Sequence, residues 1–176
     1  QIRQILAYSS TAHLGWMIMV LNYNPSLAML NLFIYLVMTT TAFLSLMTNN
    51  ATTLNSLAIS SMKTPALSVI FPIALLSLAG LPPLTGFIPK WLILEELAKQ
   101  DLPVLTMFMG LSALISLYYY LQLAYVVTLT TSPNITTGTM PWRLLAPTPL
   151  RTLPACFMLS TALLPIAPAL QALISL

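Results

Sequence analysis

Charge is what this sequence has least of. Its 176 residues include six lysines and arginines and three acids, or 5% of the chain, whereas an average soluble domain carries roughly 25% charged residues. With 58% hydrophobic residues and a mean hydropathy of +0.89, the chain cannot cover itself with a water-soluble surface. The shortage excludes a soluble domain and makes the bilayer the solvent for most of the chain.

Cysteine and histidine are also scarce. The single Cys156 excludes an internal disulfide, and no CxxC pair or His/Cys cluster has metal-ligand spacing. The cations are scattered, which argues against a nucleic-acid surface, because phosphate binding needs several cations on one face. No nucleophile with a base and no phosphate-binding glycine loop can be recognised. We therefore predict no catalytic residue, no metal and no cofactor in this chain.

The apolar runs predict helices. A bilayer permits helices or a closed barrel, and runs such as FIYLV and VIFPIALL lack the alternation of barrel strands. A membrane span needs about 20 mostly apolar residues. The segments that approach this length are about 5–21, 27–47, 65–80, 104–128 and 152–173. We predict an all-α, polytopic transmembrane bundle of about five to six helices, forming a single membrane domain over residues 1–176.

Most of the charge falls in GLPPLTGFIPKWLILEELAKQDLP, residues 80–103. The apolar core of this stretch, KWLILEELAK, is about ten residues long and covers about half of a 30 Å hydrocarbon layer. Prolines and glycines interrupt the chain before it, and Pro103 interrupts it again afterwards. We predict a discontinuous helix, about 88–100 and then about 104–128. Our preferred interpretation is that this discontinuous helix crosses the membrane once, which places Arg3, Lys63, Arg143 and Arg151 on the same side of the membrane. If it crosses twice, Arg143 and Arg151 lie on the opposite side.

Lys90 is the main candidate for proton chemistry. A lysine at membrane depth is costly and normally faces a bundle interior or a wet cavity. Burial and the positive end of the half-helix dipole both disfavour its ammonium form, so it could load and release a proton. The alternative is that Lys90 extends its head to the membrane interface, beside an anchoring Trp91.

Other polar residues have weaker claims. His13 is the only histidine, and Ser9 and Ser10 share its helix face, so the three could form a proton relay or simply pack. Glu95 and Glu96 are spaced to reach Lys99 along the helix, with a carboxylate relay as the alternative. The three hydroxyls of Thr39, Thr40 and Thr41 lie at mid-depth, where bonding to their own helix is the plain alternative. Tyr118, Tyr119 and Tyr120 fit an aromatic belt.

Three blocks of sequence carry a resemblance to a known family. QIRQILAYSSTAHLGWM, YLVMTTTAFLSL and above all LLSLAGLPPLTGFIPKWLILEE resemble the C-terminal half of the mitochondrial NADH-ubiquinone oxidoreductase chain 2 family, membrane-arm subunits of respiratory complex I. The resemblance covers the whole chain in order. Members of that family are about twice this length, so the resemblance implies that their N-terminal half is absent here.

The resemblance implies a core subunit of an H⁺-translocating NADH:ubiquinone reductase, multi-pass in the mitochondrial inner membrane. Its partners would be other membrane-arm subunits and the bilayer, with NADH, FMN, iron-sulfur clusters and ubiquinone held elsewhere in the complex. Lys90 is similar to the family's lysine on a discontinuous helix, and His13 to the histidine of the preceding helix. Related subunits have a lysine where this chain has threonines 39–41. The alternatives are a stand-alone cation/proton antiporter and a structural membrane spacer.

Overall fold

The computed structural model describes residues 1–49, 65–130 and 152–162, together with Thr53, Ser56 and Ala172. No strand occurs among these residues, which confirms the all-α prediction for the described part of the chain. Its helices are α1 (Ile2–Leu21), α2 (Pro25–Asn49), α3 (Pro65–Ala79), α4 (Phe87–Lys99), α5 (Pro103–Thr130) and α6 (Thr152–Ala162).

Three of these helices begin at a proline. They are α2 at Pro25, α3 at Pro65 and α5 at Pro103. Proline suits the first helical position because its φ is already near the helical value and the N–H that it lacks would have no partner there. The prolines therefore mark the helix starts directly in the sequence. The cations Lys63, Arg143 and Arg151, used above to compare one crossing with two, lie outside the described residues.

Helices α3 and α4 end in the same kind of turn. After α3, the Gly80 N–H donates to the Ser77 carbonyl (3.1 Å) and the Leu81 N–H to the Leu76 carbonyl (3.5 Å), with Gly80 at φ 86°. Asp101 takes the corresponding position after α4, at φ 55°, with the same pair of hydrogen bonds. This is the Schellman arrangement, in which a left-handed residue satisfies the last free carbonyls of a helix. A sharp turn at Gly80 therefore follows α3, and a second at Asp101 follows α4.

Helix α2 is at the centre of the packing and contacts α1, α3, α4 and α6. It contributes to both apolar clusters of the bundle, and Met38 near its middle lies against the loop just before α4. The larger cluster draws on α1, α2, α3 and α5, with fully buried members such as Ile34, Ala42, Phe71 and Leu78. The smaller joins α1, α2, α4 and α5 through residues such as Val20, Leu27, Ile93 and Leu97.

Two of the described helices are long and apolar enough to cross a bilayer. They are residues 25–48 of α2 and residues 103–129 of α5, judged by length and composition. Much of α5 faces away from the other described helices: Val104 is 83% exposed and Ile115 is 72% exposed. An uncovered apolar face of this length is what a helix in contact with lipid or with a neighbouring subunit presents.

Candidate functional site

The loop of residues 80–86 folds the start of α4 back against the end of α3. Gly86 lies so close to α3 that a Cβ atom added to it would be 1.8 Å from the Ser77 carbonyl oxygen. The same Cβ would be 3.0 Å from the Met38 methyl group on α2. Glycine is therefore required at this position, because no larger residue leaves room for the two backbones.

This close approach places Lys90 next to the end of α3. The Lys90 side chain is 8% exposed, and its Nζ donates a hydrogen bond of 2.8 Å to the carbonyl of Ala79, the last residue of α3. Lys90 therefore lies inside the bundle and does not extend to its surface, whereas the adjacent Trp91 is 58% exposed. The sequence indicated the positive end of α4 beside this ammonium. The structure adds the negative end of α3, which stabilises it.

His13 is buried on α1, facing α2. It is 7% exposed, and its ring packs against the ring of Tyr35 with 4.6 Å between centroids and a tilt of 32°. No hydrogen bond to the imidazole is found within the described residues. Ring nitrogens that are buried in this way need water or another partner.

His13 and Lys90 line the same cavity, which has a volume of about 460 Å³. The cavity wall is mostly apolar with a few polar groups, the usual composition of a binding cavity. Its lining residues are Ala12, His13, Gly15, Trp16, Ile18, Met19, Leu78, Lys90, Met109, Ser112, Ser116 and Tyr120.

Three polar residues of this wall were not predicted from the sequence as site residues. Ser112, Ser116 and Tyr120 follow one another at intervals of four along α5, so they share a helix face. That spacing is visible in the sequence of an otherwise apolar helix and could have revealed them. The aromatic-belt prediction is wrong for Tyr120, which is 6% exposed, whereas Tyr118 is 68% exposed.

The two predicted serines extend the polar region from His13 toward the start of α1. Ser9 is buried, whereas Ser10 is only partly buried. Neither serine lines the cavity itself, and each donates its hydroxyl hydrogen to a carbonyl three residues earlier in α1.

The three threonines of α2 form hydrogen bonds within their own helix, which was the alternative to a role in a proton path. Thr39, Thr40 and Thr41 donate to carbonyls three or four residues earlier in α2, at distances between 2.6 and 3.1 Å. None of the three lines the cavity. These threonines therefore satisfy their hydroxyls within α2, as helical threonines often do.

The glutamates also lie apart from the cavity. Lys99 Nζ is 2.9 Å from Glu95 Oε1, and both side chains are exposed. The predicted contact with Lys99 is thus confirmed for Glu95. It is wrong for Glu96, which forms no ion pair within the described part of the chain.

Comparison with known families gives this geometry a context. Residues 1–116 match the family described as "NADH:quinone oxidoreductase/Mrp antiporter, TM". The chain belongs to this family. Residues 117–171 match a second family, described as "NADH dehydrogenase subunit 2 C-terminus".

Curated relatives agree along the full chain. The NADH-ubiquinone oxidoreductase chain 2 of Gadus morhua is 56% identical over 100% of this chain and 51% of the relative. The protein of the same name from Salmo salar is 53% identical over 100% of this chain and 50% of the relative. The chain spans about half the length of the curated relatives it matches.

Proposed function

We propose that this chain is part of a core membrane subunit of respiratory complex I and contributes part of a proton path across the mitochondrial inner membrane. The names of the relatives and of both matching families support this assignment. Its partners are then the other membrane-arm subunits and the surrounding bilayer. NADH, FMN, iron-sulfur clusters and ubiquinone belong to other parts of the complex, and this chain carries no redox chemistry of its own.

The observation that carries the proposal is the shared cavity of Lys90 and His13. A lysine can release a proton to water in such a cavity. The imidazole can accept a proton on one ring nitrogen and release one from the other. The hydroxyls of Ser112 and Ser116 can hold the connecting water, since each can accept a hydrogen bond while donating one.

The position of Lys90 also explains how its proton could be controlled. Its ammonium lies between the positive end of α4 and the negative end of α3, which oppose each other. The 2.8 Å bond to Ala79 favours the protonated form. Moving the start of α4 away from the end of α3 weakens that bond and releases the proton. Conformational change elsewhere in the complex can therefore act on Lys90 through the loop of residues 80–86.

We further propose where the discontinuous helix lies. At about 1.5 Å per residue, α3 (15 residues) and α4 (13 residues) are each about 20 Å long, too short for a layer of about 30 Å. Helix α5, with 28 residues, is long enough to cross alone. From the sequence we predicted that α4 and α5 form the discontinuous helix. These lengths instead favour a single interrupted crossing made of α3, the loop and α4, with α5 crossing separately.

Lys90→Met in the assembled complex tests the proposed function. Lys99→Met is its matched control, because Lys99 is nine residues away on the same helix, exposed, and outside the cavity. We expect Lys90→Met to lower the number of protons pumped per NADH oxidised, and Lys99→Met to leave it unchanged. Normal assembly of Lys90→Met with an unchanged proton-to-NADH ratio would disprove the role of Lys90.

The matching family description also includes Mrp antiporters, which supports a second candidate function, a stand-alone cation/proton antiporter. Purification from native membranes in mild detergent separates the two. Recovery within a large assembly that oxidises NADH supports the complex I subunit. Recovery as a small monodisperse particle that exchanges cations for protons supports the antiporter.

A further inference from the structure

Thr85 lies in the loop of residues 80–86, where three parts of the bundle meet. Its side chain is completely buried, and its hydroxyl donates a hydrogen bond to the Ser160 carbonyl of α6. The same hydroxyl oxygen is 3.7 Å from the sulfur of Met38 on α2. The loop that precedes Lys90 is therefore attached to α6 through one threonine side chain.

This use of a buried hydroxyl differs from that of its neighbours. Ser9, Thr41, Ser45 and Ser77 are also buried, and each donates to a carbonyl three residues earlier in its own helix. Such local bonds form wherever a helix contains serine or threonine, and they fix nothing beyond that helix. Thr85 instead bonds a residue 75 positions away. Its hydrogen bond therefore constrains how two separate elements are placed.

Thr85 also contacts the start of α4 through its backbone. Its carbonyl accepts a hydrogen bond of 3.3 Å from the Ile88 N–H, in the first turn of the helix that carries Lys90. Thr85 therefore sets where α4 begins, because its side chain is fixed to α6 and its carbonyl accepts a hydrogen bond from the first turn of α4. The Lys90 Nζ reaches Ala79 from two residues farther along α4.

We propose that Thr85 is a positioning residue for Lys90, through which α6 holds the start of α4 close enough to α3 for the Lys90–Ala79 hydrogen bond. This inference rests on the proposed function of Lys90. Thr85 and Lys90 lie in the segment matched by the quinone oxidoreductase/Mrp antiporter family, and Ser160 lies in the segment matched by the subunit 2 C-terminus. Through this contact α6, in the segment matched by the subunit 2 C-terminus family, positions Lys90 in the segment matched by the quinone oxidoreductase/Mrp antiporter family.

The test compares three variants in the full-length chain within the assembled complex. Thr85→Val keeps the shape and removes the hydroxyl, whereas Thr85→Ser keeps the hydroxyl. Thr11→Val is the matched control, because Thr11 is exposed and its hydroxyl bonds only within its own helix, to Tyr8. The measurements are the amount of assembled complex, the rate of NADH oxidation, and the number of protons pumped per NADH.

A buried hydrogen bond of this kind changes a conformational equilibrium by roughly two- to tenfold. We therefore expect Thr85→Val to change the ratio of complexes with and without the Lys90–Ala79 bond by roughly two- to tenfold. The number of protons pumped per NADH should then fall between the native value and that of Lys90→Met, at an unchanged rate of NADH oxidation. Thr85→Ser should restore the native ratio, and Thr11→Val should match the native complex. A purely structural role would instead lower the amount of assembled complex and leave the ratio per complex intact.

The outcomes separate this inference from the function on which it rests. If Lys90→Met lowers the ratio and Thr85→Val behaves like Thr11→Val, the positioning role is wrong while the function of Lys90 stands. If Lys90→Met leaves the ratio unchanged, the proposed function fails and the positioning role fails with it. If Thr85→Val does not assemble, Thr85→Ser decides: the proposal requires a native ratio, and a reduced ratio overturns it.

Discussion

Gly86→Ala is the substitution whose effect can be worked out in most detail from the structure. The added Cβ would be 1.8 Å from the Ser77 carbonyl oxygen, and real Cβ atoms essentially never come within 3.0 Å of such an atom. The backbones of Gly86 and Ser77 must therefore separate by at least the difference, 1.2 Å. Because Ser77 is a completely buried part of α3, the displacement falls on the loop and on the start of α4.

Lys90 is carried by the helix that must move. A shift of 1.2 Å along its 2.8 Å bond to Ala79 would lengthen the bond to about 4.0 Å, beyond hydrogen-bonding distance. Overpacking a tightly packed site costs about 1–3 kcal/mol, and losing a hydrogen bond of a charged group costs about 1.5–3 kcal/mol. The combined penalty is about 2.5–6 kcal/mol, large enough to reduce assembly as well as proton pumping.

Gly110→Ala is the matched control, since nothing lies within 4 Å of a Cβ added to this residue of α5. In a helix interior, alanine is favoured over glycine by about 1 kcal/mol. The assay measures assembled complex on native gels and protons pumped per NADH in sealed vesicles. We expect a large loss for Gly86→Ala and none for Gly110→Ala. Native behaviour of Gly86→Ala, or equal damage from both substitutions, would refute the close approach of the loop to α3.

Three smaller predictions follow from other parts of the bundle. Asp101→Gly should raise the free energy of unfolding by about 1 kcal/mol and so slow thermal inactivation, because the residue lies at φ 55°. Asp101→Val should accelerate thermal inactivation for the same reason. Ser116→Val should lower the proton-to-NADH ratio by removing a hydroxyl from the cavity wall, whereas Ile115→Val, on the uncovered side of α5, should not. Glu95→Gln should leave pumping and thermal stability unchanged, since its ion pair with Lys99 is exposed and α4 packs through its other face.

The helices and their starts could be predicted from the sequence because each depends on local chemistry. Apolar runs indicated the helices, and two of these, residues 25–48 and 103–129, are long and apolar enough to cross a membrane. The short apolar core after Pro89 indicated a short helix, and the structure has a helix of 13 residues at Phe87–Lys99. Burial of Lys90 inside the bundle was one of two interpretations that the sequence left open, because a lysine at membrane depth can also extend its head to the interface.

The partners of the polar residues could not be predicted in the same way. Lys90 bonds Ala79 only because the loop turns back at Gly80 and passes close to α3 at Gly86, and this path depends on tertiary contacts. The bond between Thr85 and Ser160 joins residues 75 positions apart, and no periodicity reports such a contact. Tyr120 was misplaced because three successive tyrosines look alike as a group, while only one of the three faces the bundle.

The length of α5 has a mechanical consequence. At about 1.5 Å per residue its 28 residues extend about 42 Å, so in a hydrocarbon layer of about 30 Å the helix must tilt to cover its apolar residues. Ser116 is at its midpoint and lines the cavity opposite α1. A thinner bilayer demands more tilt and changes the distance between the two walls. For the proposed proton path, lipid thickness would then be a variable, which reconstitution into bilayers of different acyl-chain length would measure as a graded change in protons pumped per NADH.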